Sequence, residues 1–125
     1  MHRPPPLKII SNEIAEIEVY NSFIISTINE GVSFDYEELA WFSDLLKELY
    51  PNQKIGYIAN RIHKYSVNPL IYFEKLHYEQ VSAIAVICNN QEQVNMALYE
   101  KTFYKKEFEI FTEIETAINW INEVV

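Results

Sequence analysis

Apolar and polar positions alternate through EIAEIEVYNSFIISTINE, residues 13–30. Ile14, Ile17, Val19, Phe23, Ile25 and Ile28 stand among Glu16, Glu18, Asn21 and Asn29. A period of two is the mark of a half-buried strand. The parity breaks at Asn21-Ser22, which predicts two strands joined by a tight turn. One face of that hairpin is expected to be acidic and wet, the other buried.

The period then changes. In SFDYEELAWFSDLLKELYP, Leu39, Phe42, Leu46 and Leu49 recur at the spacing of one helical face, and Trp41 and Leu45 widen the stripe. Asp35 with Glu38 matches a capping box, and Pro51 stops the helix. KIGYIAN is a short apolar run that reads as a buried strand, and RIHKYSV reads as a loop, or a strand end that runs into one. Asn68 is a suitable N-cap and Pro69 a suitable first helical residue, with Leu70, Phe73 and Leu76 on the inward face. VSAIAVICNN is apolar on both parities, so a strand covered on both faces is expected. QEQVNMALYEKTFYKK reads as a helix with Val94, Ala97 and Leu98 inward, and EFEIFT as a strand. The final segment, from Thr112, reads as a helix. Thr112 and Glu115 suggest a second capping box, and Ile114, Ala117, Ile118, Ile121 and Val125 form the stripe.

The predicted order is β-β-α-β-α-β-α-β-α. Strands reached through helices pair in parallel with right-handed crossovers. The expected fold is therefore α/β: a single mixed sheet of about five strands, a hairpin followed by parallel strands, with about four helices. Residues 1–7, with Pro4, Pro5 and Pro6, read as a flexible proline-rich arm, and residues 8–125 as one domain.

Composition narrows the function. The chain has 125 residues, 49% of them hydrophobic, enough for one packed core. A net charge of −8 argues against nucleic-acid binding and against an anionic membrane surface. No apolar run is long enough to insert in a membrane. The single cysteine, Cys88, leaves no internal disulfide and reads as a buried inert thiol, which suits a reducing cytoplasm. Two glycines, Gly31 and Gly56, are too few for a phosphate-cradling loop. His2, His63 and His77 are scattered, so neither metal nor cofactor is expected.

The remaining candidates cluster around one loop. Arg61, His63 and Lys64 make a small basic group in an acidic chain, suited to a phosphate or an acidic partner; a solvated loop is the plainer account. Ser66 lacks the G-x-S-x-G elbow of a nucleophile. As a phosphorylated residue it would lie just ahead of the helix begun by Asn68 and Pro69, where anions are favoured. The plainer account is a turn serine bonded to nearby backbone. Aromatic residues make up 14% of the chain, with nine tyrosines and seven phenylalanines. Tyr57, Tyr65, Tyr72, Phe73 and Tyr78 crowd this region and are candidates to line an apolar pocket or a partner surface, against ordinary core. Glu16 and Glu18 are expected to be a solvated sheet face.

The sequence of elements, with KIGYIAN leading into YSVNPLIYFEKL, VSAIAVICNN, and the close FEIFTEIETAINWI, resembles the STAS-like domains. These are related to bacterial anti-anti-sigma factors, and the likeness is greatest to their SpoIIAA-like branch of small stand-alone proteins. It covers about Glu13 to Val125. The resemblance implies a sheet with helices mainly on one side. In phosphorylatable members it also implies a serine in an Asp-Ser-Ser-Gly type motif where the third strand gives way to the second helix. Ser66 falls at that place, but Tyr65, Val67 and Asn68 replace its neighbours. The expected function is that of a non-catalytic regulatory or protein-interaction module with an altered switch loop. Its partner loop would comprise Arg61, His63, Lys64, Tyr65, Ser66 and Asn68, with an unknown protein as partner. The alternative is a binder of a small apolar or amphipathic ligand, lined by Tyr57, Tyr72 and Phe73. Exposed aromatics also leave room for a homodimer.

Overall fold

The computed structural model of the chain describes residues 3–73 and 79–125 and, of Tyr72 and Phe73, the backbone alone. Its strands are β1 (Lys8–Ser11), β2 (Ala15–Val19), β3 (Phe23–Ile28), β4 (Ser33–Phe34), β5 (Ile55–Asn60), β6 (Ser66–Val67), β7 (Val81–Ile87) and β8 (Glu107–Phe111). Its α-helices are α1 (Tyr36–Leu49), α2 (Gln91–Lys101) and α3 (Ile114–Val124). A 3-10 turn spans Pro69–Phe73. The main sheet has six strands in the order β1-β2-β3-β5-β7-β8. The β1/β2 and β2/β3 pairs are antiparallel, and β3/β5, β5/β7 and β7/β8 are parallel. The mixed α/β sheet is the one the patterns predict. Its sixth strand, β1, has only four residues, too few to show a period.

Each helix forms for a local reason. α1 has the capping box: Asp35 accepts at the first turn while the Asp35 N–H donates to Glu38 Oε1 at 2.9 Å. At its other end, the Gln80 side chain donates to Tyr50 O at 2.7 Å and reaches Gln53 O at 3.2 Å and Leu46 O at 3.4 Å. It thereby supplies donors to carbonyls that a helix end leaves open. α2 starts at Asn90, whose Oδ1 accepts from the Gln93 N–H at 2.9 Å. α3 starts after Glu113 with no side-chain cap, so the box expected from Thr112 and Glu115 does not form. The apolar stripe holds α3 instead, with Ala117, Ile118 and Ile121 buried on Phe23, Ile25, Ile58, Ala83 and Ala85. Gly56 lets the helix approach: a Cβ there would lie 2.7 Å from Ile121 Cγ2.

The opposite face carries α1, α2 and the 3-10 turn, through Leu39, Phe42, Leu46, Ala97 and Ile71 on Ile17, Ile24, Ile28 and Val86. β7 is covered on both faces, as its unbroken apolar run implies.

Several expectations are corrected. Glu18 is buried, not wet, because Arg3 lies over it at 2.9 Å and the Tyr20 hydroxyl reaches it at 3.4 Å. The proline-rich stretch makes further contacts with the same region: Tyr20 Oη donates to Pro4 O at 2.9 Å and the Leu7 N–H to Val19 O at 2.7 Å. Leu98 is 50% exposed, and so is Leu70, with Ile71 taking the inward place. At Leu70 the reason is the 3-10 geometry, whose three-residue turn displaces the stripe by comparison with an α-helix. Val125 is exposed at the end of the α3 stripe. The packing expected of Leu76 lies outside the described residues.

Candidate functional site

The carboxyl ends of parallel strands are where an open α/β sheet leaves a crevice. Here β5 ends at Asn60 and runs directly into Arg61. The guanidinium turns inward and pairs with Glu100 of α2 at 2.6 Å, both side chains being almost wholly buried. The sequence read Arg61 as part of a solvated loop; the structure places it in the interior. The reason is that Glu100 offers a carboxylate from the inward face of α2, which makes burial of the charge tolerable. The Arg61 backbone is also held. Its carbonyl accepts from Gln93 Nε2 at 3.0 Å and Asn89 Nδ2 at 3.2 Å, while Gln93 Oε1 accepts from the Asn89 N–H at 2.6 Å. One residue thus ties β5, the β7–α2 junction and α2 together.

Beneath this pair lies a mostly apolar cavity of about 60 Å³, lined among others by Phe42, Tyr57, Tyr65, Ile71 and Val86, with Arg61 at its polar end. Tyr57 sits edge-on to Phe42 at 5.2 Å and hydrogen-bonds with Ser26. The Arg61 guanidinium carbon stands 5.6 Å from the centre of the Tyr65 ring, a cation–π contact. Burial pushes the Tyr57 and Tyr65 hydroxyls above the usual phenol value, outweighing the opposing pull of Arg61. Burial likewise raises the Cys88 thiol. These three groups are neutral at physiological pH, able to donate hydrogen bonds but not to act as bases.

Outside the Arg61–Tyr65 wall is a polar groove of about 120 Å³ with His63, Lys64, Asn90, Glu92 and Met96 along it. His63 Nδ1 stands 3.9 Å from Glu30 Oε1, and the Lys64 N–H donates to the same oxygen at 3.1 Å. The loop then joins β4 as a two-stranded parallel ribbon, Ser33 opposite Ser66 and Phe34 opposite Val67. The Gly31 N–H donates to Lys64 O at 2.7 Å, Ser66 N–H to Val32 O at 3.0 Å and Asn68 N–H to Phe34 O at 3.0 Å. Gly31 is needed at this turn because its φ is +79°.

Ser66 is exposed, its hydroxyl 3.4 Å from that of Ser33. His63 and Ser66 therefore engage different residues, and no His–Ser–carboxylate triad forms among the described residues. Asn68 caps as expected, its Oδ1 accepting from the Leu70 N–H at 3.0 Å, while its Nδ2 donates to Asp35 Oδ1 at 3.0 Å. The element it starts is described only as a 3-10 turn. Tyr57 lines the cavity; the side chains of Tyr72 and Phe73, with His77 and Tyr78, lie outside the described residues. Sequence reasoning missed Glu100, whose position three residues after Ala97 on α2 was the available signal.

No family model matches the chain, and no curated protein is similar to it. Among solved structures, it is similar to the crystal structure of an uncharacterized protein of the DUF3478 family, with a SpoIIAA-like fold, from Shewanella loihica. The likeness has a TM-score of 0.60 and covers 90% of this chain and 98% of that one, at 15% sequence identity. At that identity what is shared is the fold. The expected SpoIIAA-like fold is therefore the one the chain has. Among the described residues no helix is long and apolar enough to cross a membrane.

Proposed function

We propose that this chain is a non-catalytic regulatory module that binds a protein partner through the rim formed by Ile62, His63, Lys64 and Ser66 and the start of α2. One observation carries the reading: an exposed loop is fixed to the body by three backbone bonds and two side-chain bonds around Glu30, Asp35 and Asn68. A loop already held in one shape loses little entropy on binding, which favours recognition. The divergence of His63 and Ser66, and the neutral state of the buried phenols and thiol, support a role without chemistry. Ser66 is open to modification, as an altered switch site would be. A buried free thiol is compatible with a bacterial cytoplasm. Affinity capture from an extract tests this. The expected result is a protein retained by the unmodified chain and lost with Lys64→Glu or Ser66→Glu. Capture that never depends on His63, Lys64 or Ser66 overturns it.

The cavity favours a second reading, a binder of a small apolar or amphipathic ligand. At about 60 Å³ the cavity is small, so a ligand must be small or must move the lining outward. Native mass spectrometry of freshly purified protein is expected to show a bound mass. A clean apo mass, with no thermal shift from 1-butanol or butyrate, removes this reading.

A further inference from the structure

The main sheet has β1 at one edge, with no strand beyond it among the described residues. In an antiparallel ladder, residues alternate between those bonded to the neighbour and those turned away. Asn12 N–H donates to Ala15 O at 3.1 Å, and the register pairs Ile10 with Ile17 and Lys8 with Val19. Lys8, Ile10 and Asn12 thus face β2, and the N–H and C=O of Ile9 and Ser11 face the open edge. Ile9 is 57% exposed and the adjoining Leu7 67% exposed. Of the described residues ahead of β1, Arg3 and Pro4 are fastened to Glu18 and Tyr20 on the face of β2 and not to this edge. An open edge with exposed apolar residues is a template for another strand.

We propose that β1 is the interface of a weak homodimer, two copies pairing antiparallel about a two-fold axis at Ile10. In that register Ile9 and the second copy's Ser11 exchange both backbone bonds, and symmetry repeats the exchange, giving four. Ile10 lies beside the second copy's Ile10, and Lys8 beside its Asn12. No like charges oppose one another. The charge pattern favours a second copy here: the chain carries −8, yet β1 holds one cation and no carboxylate. Like-charged copies therefore bring no carboxylates of β1 face to face at this edge. A four-residue ladder is far smaller than the roughly 1,600 Å² of a standard interface, so the dimer forms reversibly at a Kd on the order of 0.1–1 mM. It tightens as salt screens the net charge.

Sedimentation equilibrium from about 10 μM to about 2 mM tests this, a range that spans the expected Kd. The unmodified chain is expected to show a reversible monomer–dimer equilibrium, tighter at high salt. Ile9→Lys is expected to weaken it at least about tenfold without changing Tm, whereas Tyr99→Lys on α2 leaves it unchanged. A chain monomeric throughout, a dimer that survives Ile9→Lys, or one lost with Tyr99→Lys overturns the proposal. Should Ile9→Lys not fold, amide exchange of the unmodified chain decides. The Ile9 and Ser11 amides slow with concentration if β1 pairs, and concentration-independent exchange refutes it.

Discussion

Helices α2 and α3 close opposite faces of the same sheet by opposite means. α3 presents Ala117, Ile118 and Ile121 to a dry apolar surface and settles onto Gly56. α2 buries one alanine and one glutamate, leaves Leu98 and Tyr99 exposed, and is held by an ion pair and by amides on the Arg61 carbonyl. An apolar seat is strong and indifferent to chemistry. A charged seat is specific, because a buried charge tolerates few other partners. The Arg61–Ser66 loop is attached to the charged seat, so what α2 does bears directly on its shape.

The contrast is broken most severely at the pair. Glu100→Ala leaves a buried guanidinium without its carboxylate and is expected to cost about 3–5 kcal/mol in urea unfolding. Arg61→Met combined with Glu100→Leu is expected to cost less than either single change, because no charge remains to be buried. A double variant as damaged as the singles would show that the pair's hydrogen bonds, not its charges, hold α2.

The apolar seat responds to shape alone. Gly56→Ala drives a methyl group against Ile121 and Val125 and is expected to cost about 1–3 kcal/mol. Adding Ile121→Val removes Cδ1, one of the two Ile121 methyl groups it meets, and should restore part of that loss. A tolerated alanine with no gain from Ile121→Val would mean that α3 shifts freely on the sheet.

A neutral polar anchor lies between these extremes. The Tyr50 hydroxyl donates to Tyr20 O at 2.5 Å and is 3.2 Å from Phe23 O, and burial pushes its pKa up to about 12. The unfolded value is near 10, so folding favours the neutral phenol. Its contribution is complete below about pH 10 and is lost as pH rises towards 12. Tyr50→Phe is expected to cost about 1 kcal/mol at neutral pH and to flatten the fall in stability over that alkaline window. An unchanged alkaline slope in the variant would assign the fall to other groups.

The legibility of the fold divides along the same line. The α3 stripe, the β7 run and the capping box at Asp35 and Glu38 were readable, because local pattern and tertiary role agree there. β1 was not, because four residues behind three prolines show no period. The β4–β6 ribbon was not, because two-residue strands exist only through their partner 33 positions away. At the site, Tyr57 lines the cavity and Asn68 caps the 3-10 turn. Arg61 was not legible, since a charged residue after a strand reads as surface until its carboxylate is found 39 residues on. Glu18 misled for the same reason, with Arg3 supplying the cover.

The Gln80 amide has a consequence for how the chain assembles. It completes the end of α1 from 27 to 34 positions further along the sequence. The last turn of α1 therefore stays frayed until β7 docks against β5. The two events are bound into one cooperative step, and the hairpin and α1 must wait for the middle of the chain before the first half of the molecule is stable. Non-local strand pairing of this kind forms more slowly than a local helix. The end of α1 is thus completed at the Gln80 end of the β5–β7 pair, the end opposite the Arg61–Ser66 loop.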